Sequence, residues 1–124
     1  NNNVLLKGLV SPEKQPKEIF LDLFSAQEDE QKPRANKGVS RLILCKFINY
    51  MLKEKHIENN YSFQLEPGMF SPTQTQKHSI SNLKKMYKSM GFKKIVNSER
   101  FAMKVGDFLK WCKSKYSDEF FNLI

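Results

Sequence analysis

The residues best suited to chemistry lie in a basic loop that precedes a long apolar segment. The stretch 34–41 reads Arg-Ala-Asn-Lys-Gly-Val-Ser-Arg, and the helix that it opens near Gly38 has apolar residues at helical spacing to about Lys55. The first turn of a helix presents unpaired backbone N–H groups at the positive end of the helix dipole, and a glycine lets an anion approach them. The pattern predicts a phosphate or pyrophosphate site, although a single glycine before a helix also makes an ordinary turn.

Three side chains are candidates for proton transfer. Tyr87 lies four residues before Gly91 in a second predicted helix, and its apolar position alone fits a core aromatic better than a general acid. Asp22 interrupts an apolar strand and Glu66 ends another. A carboxylate among apolar neighbours gains proton affinity and is then suited to act as a general base. Most carboxylates at such positions are instead simple edge or surface residues.

The elements that must position these residues follow the pattern of an α/β (α+β) domain with a mixed sheet. Two apolar strands form a hairpin, and a loop, a buried helix and a third strand then complete a βαβ unit with parallel strands. A helix with Ser79 or Ser81 as its N-cap and Gly91 past its end leads to two short strands and a last helix. One domain of residues 1–124 is predicted. Its parts are 1–25 (hairpin), 34–66 (loop, helix and strand), 79–105 (helix and two strands) and 107–124 (last helix).

The chain is strongly basic, with a formal net charge of +8 and a pI of about 9.5. Residues 67–98 contain six lysines and no acidic residue, so the local field there is positive. Such a balance favours an anionic partner, which could be a nucleic acid, an acidic membrane surface or a phosphorylated cofactor. A solvated lysine face explains the same charges, and the chain lacks the alternation of aromatic and basic residues that single-strand binding platforms show.

The two cysteines, Cys45 and Cys112, have no spacing that would hold zinc, and no metal site is predicted. They are expected to be reduced thiols in a cytoplasmic or nuclear protein that is not secreted. No apolar run approaches the ~20 residues that span a bilayer, and no secretory signal is present. We therefore predict no membrane partner from the sequence.

The order of these elements resembles that of the GNAT family of N-acetyltransferases. In that family a loop of the form (Gln/Arg)-x-x-Gly-x-(Gly/Ala) opens a helix on the coenzyme A pyrophosphate, and a later helix ends in Tyr-x-x-x-Gly-Phe. Gly38 and Ser40 align with the two small residues of the loop, and Tyr87, Gly91 and Phe92 match the helix ending. The resemblance covers the family's central and C-terminal parts. It implies that the N-terminal strand and the paired helices are missing here.

The resemblance implies a function and a set of site residues. The function is transfer of acetyl from acetyl-coenzyme A (acetyl-CoA) to the primary amine of a small molecule or a protein, by direct attack. Tyr87 would be the general acid, with Asp22 or Glu66 as the base, and Asn82 lies near the family's usual Asn position. The cofactor would be held by Phe24, Ser25, Ala26, Lys37, Gly38, Val39, Ser40, Arg41 and Asn82. The alternatives are an inactive cofactor-binding or protein-interaction module and a small basic nucleic-acid-binding domain.

Overall fold

The computed structural model describes residues 4–26, 38–67 and 74–116. The loop 27–37, which includes Lys37 and the acidic residues before it, lies outside the described residues, as do 68–73 and 117–124. The described elements are β1 (Val4–Ser11), β2 (Glu18–Ala26), α1 (Gly38–Lys53), β3 (Ser62–Leu65), α2 (Gln74–Met90), β4 (Lys93–Lys94), β5 (Phe101–Lys104) and α3 (Val105–Lys115).

The five strands form one mixed sheet in the order β1-β2-β3-β5-β4. β2 and β3 are parallel, and every other neighbouring pair is antiparallel. This confirms the predicted α+β class, the N-terminal hairpin, and the parallel strands joined through a helix. Because α1 connects two parallel strands, its first turn lies at the edge of the sheet where both strands end.

The core lies on the face of the sheet that carries Ile19 and Phe63, which are opposite each other in the β2–β3 register. Both residues are fully buried, and the ring of Phe63 packs edge-on against Phe92 and Phe108, with centroids 5.5 and 4.9 Å away. Such T-shaped pairs add about 0.5–1.5 kcal/mol beyond the burial of apolar area. These rings join α3 and the chain after α2 to the middle of the sheet.

A disulfide bond joins Cys45 on α1 to Cys112 on α3, with the two Cα atoms 5.9 Å apart. The prediction of two reduced thiols was therefore wrong. Each cysteine lies on the buried side of its helix, and the two helices pack side by side, a proximity that a separation of 67 residues conceals. Because disulfides persist mainly in oxidising surroundings, the cysteines no longer support a cytoplasmic location.

Several predicted boundaries were also wrong. α2 begins at Gln74, so Ser79 and Ser81 are interior helix residues and neither is an N-cap. The apolar period starts at Ile80, whereas the polar residues before it are already helical. β4 is limited to two residues, and α3 begins directly after β5 at Val105. No helix in the described part of the chain is long and apolar enough to cross a membrane.

Candidate functional site

The edge of β2 that faces its parallel neighbour β3 continues beyond the end of β3 at Leu65, and we call this open edge the fork. β2 and β3 are paired over three positions only, from Glu18 opposite Ser62 to Phe20 opposite Gln64. β2 nevertheless continues to Ala26, paired with β1 on its other side. From residue 21 onward the edge of β2 that faces β3 therefore has no ladder partner among the described residues. Its free N–H and C=O groups are available to an extended ligand.

A β-bulge lies where the fork opens. Lys7 is opposite Leu23 and Gly8 is opposite Leu21, so Asp22 is the extra residue of β2. A bulge bends its strand and strengthens the local twist, here directly after the last residue of β2 that pairs with β3. Gly8 permits this close packing, because a Cβ atom there would lie 3.1 Å from Ile19 Cδ1 and 3.2 Å from a ring carbon of Phe47.

The first turn of α1 is expected at the same end of the sheet as the fork, because α1 connects the end of β2 to the beginning of the parallel strand β3. The helix begins at Gly38 and has no acidic residue in its first turn. Its first N–H groups lack intrahelical partners, and the helix dipole is positive at this end. Arg41, in the same turn, has a buried Nε atom with no hydrogen-bond partner among the described residues. An unpaired guanidinium N–H beside a helix N-terminus fits a phosphate or pyrophosphate group.

The structure brings most of the predicted cofactor residues to this edge. Gly38, Val39, Ser40 and Arg41 form the first turn of α1. The last three residues of β2, which are Phe24, Ser25 and Ala26, lie on the strand segment beyond the fork. Asn82 is exposed on α2. Lys37 lies outside the described residues, so its position stays a prediction.

Tyr87 is buried one turn before the end of α2, with 7% of its surface exposed. The turn after it closes as predicted: Gly91 has a φ of 111°, and the N–H of Phe92 donates to the carbonyl of Tyr87 at 3.0 Å. The ring of Phe92 lies 5.6 Å from that of Tyr87 and 5.5 Å from that of Phe63, centroid to centroid. The rings of Tyr87 and Phe63 therefore both contact the ring of Phe92. Phe63 directly precedes Gln64, the last residue of β3 that pairs with β2 before the fork.

Burial raises the pKa of Tyr87 from 10.0 to about 12. The phenol therefore keeps its proton at neutral pH, which an acid catalyst requires. Because the folded protein holds this proton more tightly than the unfolded chain, the resulting stabilisation is complete below pH 10 and is lost as the pH rises to 12.

We expect the free energy of unfolding of the parent to fall by about 2–3 kcal/mol relative to Tyr87→Phe between pH 10 and pH 12. All other ionisable groups are the same in the two proteins, so their contributions cancel in the difference. Chemical denaturation at several pH values measures the difference. A constant difference across this range would show that Tyr87 is not held as a buried neutral phenol.

The two predicted bases have different surroundings. Asp22, the bulge residue, has a side chain that is 41% exposed and lies 3.7 Å from Lys7 Nζ. Asp22 was predicted as a base because apolar neighbours would surround its carboxylate, and a side chain with this exposure is not enclosed in that way. Glu66 directly follows β3 and is half-buried, so it lies at the edge where the fork opens.

Sequence reasoning missed a polar cluster on the face of the sheet opposite the core. Glu18 is buried, with 7% exposure, and its Oε2 atom lies 3.2 Å from Arg100 Nη1 and 3.3 Å from Lys14 Nζ. Arg100 also donates to Gln64 at 3.1 Å and lies 3.8 Å above the ring of Phe20. Through Arg100 the cluster links Glu18, in the first residue pair of the β2–β3 ladder, to Phe20 and Gln64, which form the last pair before the fork. The sequence signal, an isolated Arg between two short strands, does not reveal a partner 82 residues away.

Comparisons with protein-family models, with curated proteins and with solved structures gave no match. Among residues 4–26, 38–67 and 74–116, no group of three or more His, Cys, Asp or Glu side chains is placed to hold a metal ion. The site defined by the geometry is the fork beside a parallel strand pair, together with the N-terminus of the helix that joins the two strands.

Proposed function

We propose that this domain binds acetyl-CoA in the fork and transfers its acetyl group to a primary amine. The observation that carries the proposal is the edge of β2 that continues without a ladder partner among the described residues after Phe20 and Gln64, at the end of the sheet where α1 begins. Crevices at the carboxyl ends of parallel strands are the usual ligand sites of such sheets. The parallel pair of β2 and β3 joined through α1 is the βαβ unit that the sequence predicts for the cofactor.

The first turn of α1 would hold the pyrophosphate. The backbone N–H groups of residues 38–41 supply donors, and Arg41 supplies a positive charge with an unpaired N–H. The turn contains no carboxylate that would repel the ligand. Burial of the Arg41 Nε atom without a partner costs free energy, which a bound phosphate oxygen would recover.

The unpaired edge of β2 would hold the amide-containing arm of the cofactor. An extended arm can add to a strand edge as another strand does, through alternating N–H and C=O groups. The bulge at Asp22 lies at the beginning of this unpaired edge and bends it. Phe24, Ser25 and Ala26 follow the bulge on this segment.

The cofactor supplies an acetyl thioester, and the chain must supply proton transfers. Tyr87 would donate its proton to the departing thiolate, as its neutral state at pH 7 allows. A phenol with a pKa of about 12 is a weaker acid than an ordinary thiol, so proton transfer from it to an ordinary thiolate is unfavourable. The same apolar surroundings would also raise the pKa of a thiol placed beside Tyr87. The pKa of that thiol would then be closer to the pKa of Tyr87. Asp22 and Glu66 are the proposed bases that keep the acceptor amine neutral, and the acceptor is a small molecule or a protein.

A second candidate is a cofactor-binding or interaction module without catalytic activity. It is favoured by the burial of Tyr87 within the aromatic core, where the ring has a packing role that needs no chemistry. Nucleic-acid binding is a third candidate. Its support is a set of exposed lysines on α2 and β4, which are Lys85, Lys88, Lys93 and Lys94.

Replacing Gly38 by Val should weaken coenzyme A binding about tenfold or more, because a β-branched side chain blocks the approach of phosphate to the helix N–H groups. Calorimetric titration with coenzyme A measures the change. Ser81→Val, at an exposed position within α2, is the matched control because it places the same side chain in a helix away from the fork. If Gly38→Val folds normally and binds coenzyme A as tightly as the parent and the control, the pyrophosphate site is misplaced.

A further inference from the structure

A second candidate site lies at the opposite end of α1. An open groove of about 540 Å³ runs between the second half of α1, the connection to β3, and α3. Leu52 and Leu109 supply apolar surface, and Asn59 and Asn60, which precede β3, form one side. The volume is within the range of small-molecule sites, about 300–1,000 Å³.

The groove is positively charged. Lys104, Lys110 and Lys113 line it, all three are exposed, and none forms an ion pair with a residue that the structure describes. Asp107 is the single acidic residue of the lining, which leaves a net charge of +2. The N–H groups of Val105 and Gly106 are already bonded to backbone carbonyls, so the lysines rather than the helix end would hold an anion.

A buried amide adds an independent indication of a ligand. Asn49 lines the groove from α1 and is 8% exposed, and its Nδ2 atom has no hydrogen-bond partner within the described ranges. An unpaired buried donor is costly, and native structures usually satisfy it. A ligand oxygen that reaches Asn49 would give the amide the acceptor that it lacks.

We propose that this groove binds a phosphomonoester of about nucleotide size. A phosphomonoester carries a charge of about −1.5 to −2 near neutral pH, which the net charge of the lining matches. Lysines bind phosphate as point charges, and an amide N–H supplies the directional contact. The rest of the ligand would lie on Leu52 and Leu109.

This site is separate from the proposed coenzyme A site and does not depend on it. Asn49 is eleven residues beyond Gly38 on α1, which places the two about 16 Å apart along the helix axis. The groove borders the beginning of β3, whereas the fork opens where that strand ends. A cofactor with its pyrophosphate at the first turn of α1 would therefore leave the groove free.

The test is a titration of ¹⁵N-labelled protein with inorganic phosphate, uridine 5′-monophosphate and uridine at constant ionic strength. We expect saturable shifts at the Asn49 side-chain amide and the Gly106 backbone amide with phosphate. The nucleotide should bind about fivefold or more tightly than phosphate, because it also covers the apolar surface. Absence of saturation with both anions, or equal affinity for uridine and its monophosphate, would overturn the proposal.

Two sets of substitutions with the same charge change locate the site. Replacing Lys104, Lys110 and Lys113 together by Gln should weaken nucleotide binding about tenfold or more. Replacing Lys85, Lys88 and Lys94 together by Gln is the matched control and should change the affinity less than about twofold, because exposed charges at a distance are screened. If both sets weaken nucleotide binding equally, the nucleotide is held by nonspecific charge attraction, and the proposed groove site is wrong.

A third variant tests the amide. Asn49→Leu keeps a similar volume, should leave the melting temperature unchanged or higher, and should weaken nucleotide binding about threefold or more. Unchanged affinity would contradict the proposed site. The titration is repeated with dephospho-coenzyme A present, which keeps the pyrophosphate but has no phosphomonoester, and the same nucleotide affinity is expected. Failure of dephospho-coenzyme A to bind would count against the proposed function alone, whereas its displacement of the nucleotide would count against a separate groove site.

Discussion

Tyr87→Phe is expected to lower kcat for acetyl transfer about 10²- to 10⁴-fold, the usual contribution of general acid catalysis. The substitution removes only the hydroxyl group and keeps the ring that packs against Phe92. Coenzyme A affinity and the fold should therefore be nearly unchanged, and the loss should appear in kcat rather than in KM. Steady-state rates with a panel of amine acceptors, together with a coenzyme A titration, measure both quantities.

Tyr61→Phe is the matched control, because Tyr61 is a second buried tyrosine of the same core. Its rate should be close to that of the parent. If Tyr87→Phe transfers acetyl at the parental rate, Tyr87 is a packing residue and another group protonates the thiolate. If coenzyme A binds but no amine is acetylated by the parent, the module without activity is the better account.

Removal of the disulfide is expected to have the largest effect on stability. The bond closes a loop of 67 residues, and a cross-link over a loop of this length stabilises a fold by about 4 kcal/mol through the unfolded chain. Cys45→Ala with Cys112→Ala should therefore lower the free energy of unfolding by about 4 kcal/mol or more, since the lost sulfur atoms also leave space in the core. Denaturation by urea measures the loss.

The single variants separate the cross-link from the packing. Either Cys45→Ala or Cys112→Ala alone removes the whole cross-link, so each should cost nearly as much as both together. Reduction of the disulfide in the parent should also remove most of the stabilisation of about 4 kcal/mol that the bond provides. A double variant within about 1 kcal/mol of the oxidised parent would contradict a stabilising disulfide.

The sequence was a good guide where the signals are local. Two short apolar runs predicted the hairpin, and the order of strand, helix and strand predicted the parallel pair of β2 and β3. Gly91 marked the end of α2 because a left-handed residue after a helix favours glycine. In each case the residues that determine the structure lie within a few positions of the feature.

The features that were missed depend on contacts between distant parts of the chain. Cys45 and Cys112 are joined only because α1 and α3 pack together, and no spacing rule links them. Glu18 meets Arg100 because the strand order places β5 next to β3. The start of α2 at Gln74 was missed for another reason, since polar residues can continue a helix without an apolar period.

The candidate site was predicted in part. The helix N-terminus at Gly38 is a local feature and was placed correctly in the chain. The bulge at Asp22 and the exact extent of the β2–β3 pairing arise from packing that includes Gly8, Ile19 and Phe47, so no single segment encodes them. The roles of Tyr87, Glu66 and the cofactor residues stay predictions.

The most direct test of coenzyme A binding in the fork is a titration of ¹⁵N-labelled protein with coenzyme A, followed through the backbone amide signals. We expect saturable shifts concentrated at residues 21–26 of β2 and 38–41 of α1, because this part of β2 borders the fork and residues 38–41 form the first turn of the helix. Signals of β4 and of the last turn of α3 should remain unchanged. Absence of saturable shifts, or shifts confined to residues away from the fork, would contradict the account.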